Sequence, residues 1–267
     1  MSDYGIIELS MIDKLNKLFS KYVYQGLLYH YTSYDSSLKI CSSDQLYLKR
    51  VDCLEDADEG TDITEFIKHR SECLYSSGRI GDELRKAIVS YSPNPDHFGL
   101  GFSPYTACFN TIRDNNLMWR AYGDNMAGAC LILNTNYLSS KIRFVKVIYD
   151  DTEKEEFVDG CLESLNGYSG FQDFAYHYAI DEMVGVLRYM FKQPFFKAED
   201  EIRIIYLGQQ ELEEKDKLFP HIELELESNG SIIVQKGPKC KKSAEEMKND
   251  FGDCVKECIE SKIKLRF

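Results

Sequence analysis

The spacing of apolar positions changes many times along this chain, and each change marks an element. From Ile7 to Tyr24 they recur at helical intervals (Ile12, Leu15, Leu18, Phe19, Val23), with Ser10 or Asp13 able to start the helix, until Gly26 breaks it. Leu27 to Thr32 is a compact apolar and aromatic strand. Ser33 to Ile40 reads as a short helix begun by Ser33 or Asp35, and Gln45 to Lys49 as a second strand. The acidic run Asp52 to Asp62 is too polar for core and reads as a loop, followed by helices over Ile63 to Leu74 and Asp82 to Ser90. Ser92 to Asp96 is a turn cluster and a candidate hinge. Beyond it the pattern predicts a strand over Thr106 to Phe109, a helix over Asn115 to Tyr122, and strands over Ala127 to Leu133 and Phe144 to Tyr149. Thr152 to Met190 is helical in two pieces separated around Gly167 to Gly170. After it comes the strand that ends Glu199-Asp200-Glu201-Ile202-Arg203-Ile204-Ile205-Tyr206, on which Glu199, Glu201 and Arg203 would share one face. An exposed strand over Ile222 to Leu226, a strand over Ile232 to Gln235 and a final helix over Ala244 to Lys262 complete the reading.

This order, with long non-alternating stretches, predicts an α+β fold. The expected organisation is one domain with a split, mixed β-sheet flanked by helices: an N-terminal helix within 1–25, a core over 26–240 and a C-terminal helix over 244–267. The chain has 267 residues, 43% of them hydrophobic, enough for an ample core. A net charge of −12 disfavours indiscriminate binding to duplex DNA or to anionic lipid. The nine cysteines are scattered singly, with no Cys-x-x-Cys, and read as reduced, mostly buried thiols of a cytoplasmic protein. Cys254 and Cys258 fall at i, i+4 spacing, but no histidine follows to complete a metal site. No window approaches about 18 consecutive apolar residues and no leader pattern opens the chain, so a soluble, unexported protein is expected.

Several chemistries lack their motif. Gly99-Leu100-Gly101 has neither the third glycine nor the following helix of a dinucleotide fingerprint, and no Gly-x-Ser-x-Gly elbow occurs. The feature that remains is the late strand, with carboxylates at Glu199 and Glu201 beside the guanidinium of Arg203. It reads either as a solvated face carrying a surface ion pair or as a rigid strand aiming a carboxylate at a substrate hydroxyl.

Four segments together give a family resemblance: Leu28-Tyr29-His30-Tyr31-Thr32, Leu54 to Glu59, Leu117-Met118-Trp119-Arg120-Ala121-Tyr122-Gly123-Asp124, and Glu199-Asp200-Glu201-Ile202-Arg203. Each resembles a segment of the bacterial family termed domain of unknown function 2971, and Ile232 through Pro238 resembles that family's late strand and Gly-Pro turn. The sequence departs from the family pattern at Glu55, Ala57, Asn110, Ala121, Gly123 and Met126, so two histidines of the central segment are missing.

An early strand histidine, a tyrosine on the next strand and a late strand glutamate also resemble the His-Tyr-Glu arrangement of ADP-ribosyltransferases. That resemblance implies NAD as co-substrate, with Glu201, or Glu199, as the catalytic carboxylate. It implies cofactor binding by His30 with Tyr31 and Thr32 of its strand, by Tyr47, by Trp119 and Tyr122 as a stacking wall, and by Arg203, with no metal. A carboxylate beside the ribose would gain strength as oxocarbenium character develops. The expected activity is ADP-ribosyl transfer to a protein, nucleic acid or small molecule, or NAD hydrolysis, in the setting of a bacterial toxin or phage-defence effector. The alternative is a non-catalytic module that senses a nucleotide or holds a partner. A third reading, a metal-assisted nuclease using Asp56, Glu59, Glu199 and Glu201, has no recognised ligand spacing. For the fold, the transferase reading makes one demand: His30 and Glu201 must face a common cleft.

Overall fold

The structure, a computed structural model, describes residues 17–50, 63–92, 105–138, 142–166, 180, 183–185, 187, 190–206, 215 and 221–264. The loop expected over Asp52 to Asp62, the turn after Ser92, the break around Gly167 to Gly170 and the start of the first helix lie outside them. The described residues within Met1–Val23, Leu54–Pro104 and Val147–Phe195 form one compact unit, and those within Tyr24–Cys53, Tyr105–Lys146 and Phe196–Phe267 form the other.

The first unit is helical. Helices Ile63–Ser76, Asp82–Ser90 and Asp151–Leu165 each present a buried apolar stripe, as their spacing predicts. Asp150 caps the third by accepting a hydrogen bond from Glu153 N–H. Edge-to-face contacts join Phe157 to Phe19, Tyr22 and Phe191. Arg70 bridges Asp159 at 2.8 Å and Glu155 at 2.9 Å, tying the first helix to the third.

All the described strands lie in the second unit: β1 (Leu27–Thr32), β2 (Gln45–Arg50), β3 (Tyr105–Thr106), β4 (Cys108–Asn110), β5 (Ala129–Asn134), β6 (Ile142–Lys146), β7 (Glu201–Tyr206), β8 (His221–Glu225), β9 (Ile233–Lys236) and β10 (Glu257–Ile259). They make a seven-stranded sheet in the order β10-β9-β5-β1-β4-β7-β6 and a three-stranded sheet in the order β3-β2-β8. β10 runs parallel to β9, whereas the other named pairs are antiparallel, so the fold is α+β with a mixed sheet. Because side chains alternate across a strand, the large sheet sorts them onto two faces. Leu28, Phe109, Leu131, Ile202, Ile204 and Val234 of one face join Leu46, Leu48, Ile222 and Leu224 of the small sheet in one core. The other face packs Tyr29, Tyr31, Cys130 and Ile132 against Met118, Trp119 and Met126.

The structure differs from the sequence reading at several elements, among them three in the second unit. The strand expected over Thr106 to Phe109 changes sheets: β3 pairs with β2, β4 pairs with β1 and β7, and Ala107 between them accepts a hydrogen bond from Ile204 N–H. The strand at Ile222 to Leu226 is not exposed; its isoleucine and leucines are core and only its glutamates turn outward. The final helix ends early, at Phe251, after which Gly252–Cys254 forms a 3-10 turn and Glu257–Ile259 pairs with β9. Its first turn is secured by a capping box between Ser243 and Glu246, whereas the backbone of Glu257–Ile259 finds its partners on β9.

Two glycines permit a close backbone crossing beside the second face. The chain passes through left-handed φ values at Asp124 (50°), Asn125 (47°) and Met126 (75°), and Gly128 N–H donates to Gly123 O while Gly237 N–H donates to Gly128 O. A Cβ on Gly128 would lie 2.2 Å from Thr32 O, and one on Gly237 2.3 Å from Met126 O. Both obstacles are backbone, which cannot swing aside. Gly128→Ala is therefore expected to destabilise the protein by about 3 kcal/mol, read as a fall in melting temperature of roughly 6–12 °C. An unchanged melting temperature would show that the crossing can spread without loss.

Candidate functional site

Glu201 and Arg203 begin β7 two residues apart, so they project from the same face of the sheet. Arg203 Nε donates to Glu201 Oε1 at 2.7 Å and its NH2 group to Oε2 at 3.2 Å, a two-pronged pair with side chains only 2% and 6% exposed. The register sets their neighbours. Asn110 lies opposite Glu201 and Tyr29 opposite Asn110, so all three share the face that carries Tyr31 and Trp119. Asn110 is bonded to its own surroundings: its amide nitrogen donates to Glu199 O and its oxygen accepts from Ile112 N–H at 2.6 Å.

His30 projects from the opposite face. It follows Tyr29, its ring stands 5.4 Å from that of Phe109, and Phe109 pairs with Ile202, the residue between Glu201 and Arg203. His30 Nδ1–H donates to Cys108 O at 3.1 Å. Although the ring is only half-buried, desolvation by the atoms crowded around it pulls its pKa below the ordinary histidine value, with Lys49 adding to the effect. Thr32 shares His30's face by alternation. The common cleft expected for His30 and Glu201 is therefore not what the sheet builds, because one strand cannot turn adjacent residues to the same side.

The remaining expected positions divide in the same way. Tyr47 points outward from the small sheet, 53% exposed and stacked on His221 at 4.5 Å. Glu199 does not lie on the strand: it ends the 3-10 turn Pro194–Glu199, and Asp200, at φ 42°, redirects the chain before β7. Tyr31 is buried, donates its hydroxyl hydrogen to Ile112 O at 3.0 Å and accepts from Asn115 N–H at 2.9 Å, and burial pushes its pKa up. Trp119 is fully buried and meets Tyr31 edge-to-face at 4.9 Å, whereas Tyr122, three residues on, is 53% exposed. Of the nine expected positions, Tyr31, Trp119, Glu201 and Arg203 come to one face, and His30, Thr32, Tyr47, Glu199 and Tyr122 do not join them.

The residue that organises this face, Asp114, carries no signal in the sequence. It sits at φ 58° ahead of the short helix Asn116–Ala121, which Asn115 caps by accepting from Leu117 N–H. Asp114 Oδ1 accepts from Trp119 Nε1 at 3.0 Å and Ser261 Oγ at 2.6 Å, and Oδ2 accepts from Lys262 N–H at 2.7 Å. Burial raises its pKa, but these bonds and one from the Gln235 side chain together outweigh burial and hold the carboxyl below its usual range. Only the turn residues Asp114-Asn115-Asn116 stand out locally, and they read as a helix cap; the partners at Ser261 and Lys262 are distant in sequence.

The stretch that carries Trp119 and the Glu201-Arg203 pair is also the one that a family model matches. Residues 118–204 match the model of the family described as Protein of unknown function (DUF2971). The DUF2971 resemblance is thus found over the central and late motifs, while His30, Leu54 to Glu59 and the Gly-Pro turn lie outside the matched stretch. No curated protein and no solved structure matches the chain. Among the described residues no cluster of three or more His, Cys, Asp or Glu could hold a metal ion, and no helix is long and apolar enough to cross a membrane.

Two outcomes follow from the geometry. Removing one member of a buried pair leaves the other charge uncompensated, so Glu201→Gln is expected to cost about 3 kcal/mol, a melting temperature lower by roughly 6–12 °C. A variant as stable as the parent would mean that the pair does not support the fold. For His30, a folded-state pKa below the unfolded value of about 6.5 means that the folded protein binds fewer protons. Stability present above pH ~6.5 should accordingly decline as pH falls through that window to the lowered pKa, and His30→Phe should flatten the decline in urea unfolding titrations. A slope unchanged by the substitution would assign it to other groups.

Proposed function

We propose that the chain is a non-catalytic partner-binding module. The observation that carries this reading is the Glu201 carboxylate, held by both oxygens on the buried Arg203 guanidinium and facing away from His30. Glycosidic-bond cleavage of NAD requires a carboxylate free to strengthen its contact as charge develops on the ribose. Here its charge already has a short, low-dielectric partner, and the histidine and tyrosine of the transferase arrangement stand on other surfaces.

The apolar groups left outside favour recognition of a protein. Ile112, Leu117 and Tyr122 are 48%, 46% and 53% exposed, and all three adjoin the frame fixed by Asp114, Tyr31 and Trp119. Large apolar side chains displayed from a rigid turn lose little conformational freedom on docking and are suited to act as anchors.

The deciding experiment incubates the purified protein with NAD, with and without cell extract, and measures nicotinamide. Release at the level of a buffer blank is expected, and Glu201→Gln, assayed below its melting temperature, should not change it. Nicotinamide release by the parent that disappears in folded Glu201→Gln protein would overturn the reading in favour of ADP-ribosyl transfer or NAD hydrolysis. On the positive side, a protein crosslinked through position 117 should be lost with Tyr122→Ala.

A further inference from the structure

The exposed apolar groups of the Ile112 to Tyr122 stretch are interleaved with cations. Arg113 follows Ile112, and Arg120 lies three residues after Leu117, on the same side of the helix Asn116–Ala121; both arginines are exposed. Lys262 and Lys264, also exposed, belong to the segment whose backbone at Lys262 donates to Asp114 Oδ2. The Arg113 charge reaches back over the sheet, where it opposes the rise that burial gives the pKa values of Tyr29 and Cys130.

Among the described residues, Arg113, Arg120, Lys262 and Lys264 have no carboxylate within ion-pair distance. By contrast Arg70, Arg79, Arg85 and Arg203 each hold one, at 2.8, 2.6, 2.7 and 2.7 Å. The acids near the four cations are engaged or out of reach. Asp114 accepts from Trp119, Ser261 and the Lys262 backbone, and Glu260 pairs with Lys236 at 3.3 Å. Asp124 stands four residues beyond Arg120 without closing an ion pair. In a chain of net charge −12, unmatched cations beside exposed apolar side chains make a local surface opposite in sign to the whole.

We propose that this surface docks an acidic segment of a partner protein, whose apolar side chains seat on Ile112, Leu117 and Tyr122 while its flanking Asp or Glu residues pair with Arg113 and Arg120. The proposal rests on the partner-binding reading and supplies the chemistry of the partner. Arginine suits the task because its planar fork meets a carboxylate with two hydrogen bonds. Lys262 and Lys264 add attraction at longer range, which speeds encounter and weakens with salt. A nucleic-acid backbone is the poorer match, because it offers nothing to the apolar groups between the arginines and the carboxylates of Asp114 and Asp124 repel its phosphates.

Panning a random peptide library on the full chain tests this without a known partner. Clones that bind the parent protein but not the Arg113→Glu, Arg120→Glu double variant should carry Asp or Glu beside Leu, Ile, Phe or Trp. A representative clone should lose roughly 10- to 100-fold in affinity in that variant, and roughly 10-fold in the parent between about 50 and 300 mM salt. Panning on the double variant should instead select Lys or Arg at the same positions, a reversal that loss of folding cannot produce. Its melting temperature should stay within about 2 °C of the parent, as for exposed substitutions generally. Clones lost with Leu117→Ala but unaffected by the double variant would overturn the acidic partner and leave the partner-binding reading standing. Absence of clones sensitive to either change would overturn the docking surface, and nicotinamide release by the parent would separately remove the reading beneath it. Arg113-dependent binding of a single strand of about 20 nucleotides, with no acidic clone, would assign the surface to nucleic acid instead.

Discussion

One carboxylate ties together parts of the second unit that are distant in sequence. Asp114 collects the indole of Trp119, the hydroxyl of Ser261 and the backbone of Lys262, and so joins a turn after β4, a short helix and the segment after β10. Without it the indole nitrogen would be a donor left dry in a fully buried side chain. Its position at φ 58° is itself a local cost, which aspartate bears more easily than most residues. Tyr31 supports the same turn from the sheet side by donating to Ile112 O and accepting from Asn115 N–H, so side chains hold what the short helix could not hold alone.

The Glu201-Arg203 pair plays a corresponding part at the other side of the face. Its desolvation is repaid only because both oxygens are engaged at short distance, and Asn110 beside it satisfies the turn on either side rather than adding a further open donor. A carboxylate so placed is well suited to fix a strand and poorly suited to meet a substrate. The same face shows why Trp119 and Tyr122, on one short helix and its C-cap, differ: one is sealed in the cluster on which Ile259 and Ile263 pack, and the other is half exposed.

Local chemistry made much of the fold legible. Leu27–Thr32 and Asp82–Ser90 begin and end where the pattern changes, and Ser33 caps the helix Tyr34–Ser43 by accepting from Ser36 N–H. These boundaries depend on interactions within a few residues, which sequence spacing reports well. A helical period continues through Cys254 and Cys258, although pairing with β9 satisfies the backbone of Glu257–Ile259 instead. Alternation likewise continues through Glu199, while the 3-10 turn that holds it and the left-handed Asp200 leave no periodic trace.

By itself, then, the sequence determined the α+β class, the strand bearing Glu201 and Arg203 and their common side, and the likeness to DUF2971, because each rests on near-neighbour periodicity or on motif identity. Which faces coincide was decided only by tertiary structure. Register between strands put Tyr29, Asn110 and Glu201 on one side and His30, Phe109 and Ile202 on the other, and a shift of a single residue would have exchanged those sets. The bonds of Asp114 to Ser261 and Lys262 likewise span more than half the chain, a distance over which no pattern of spacing carries information.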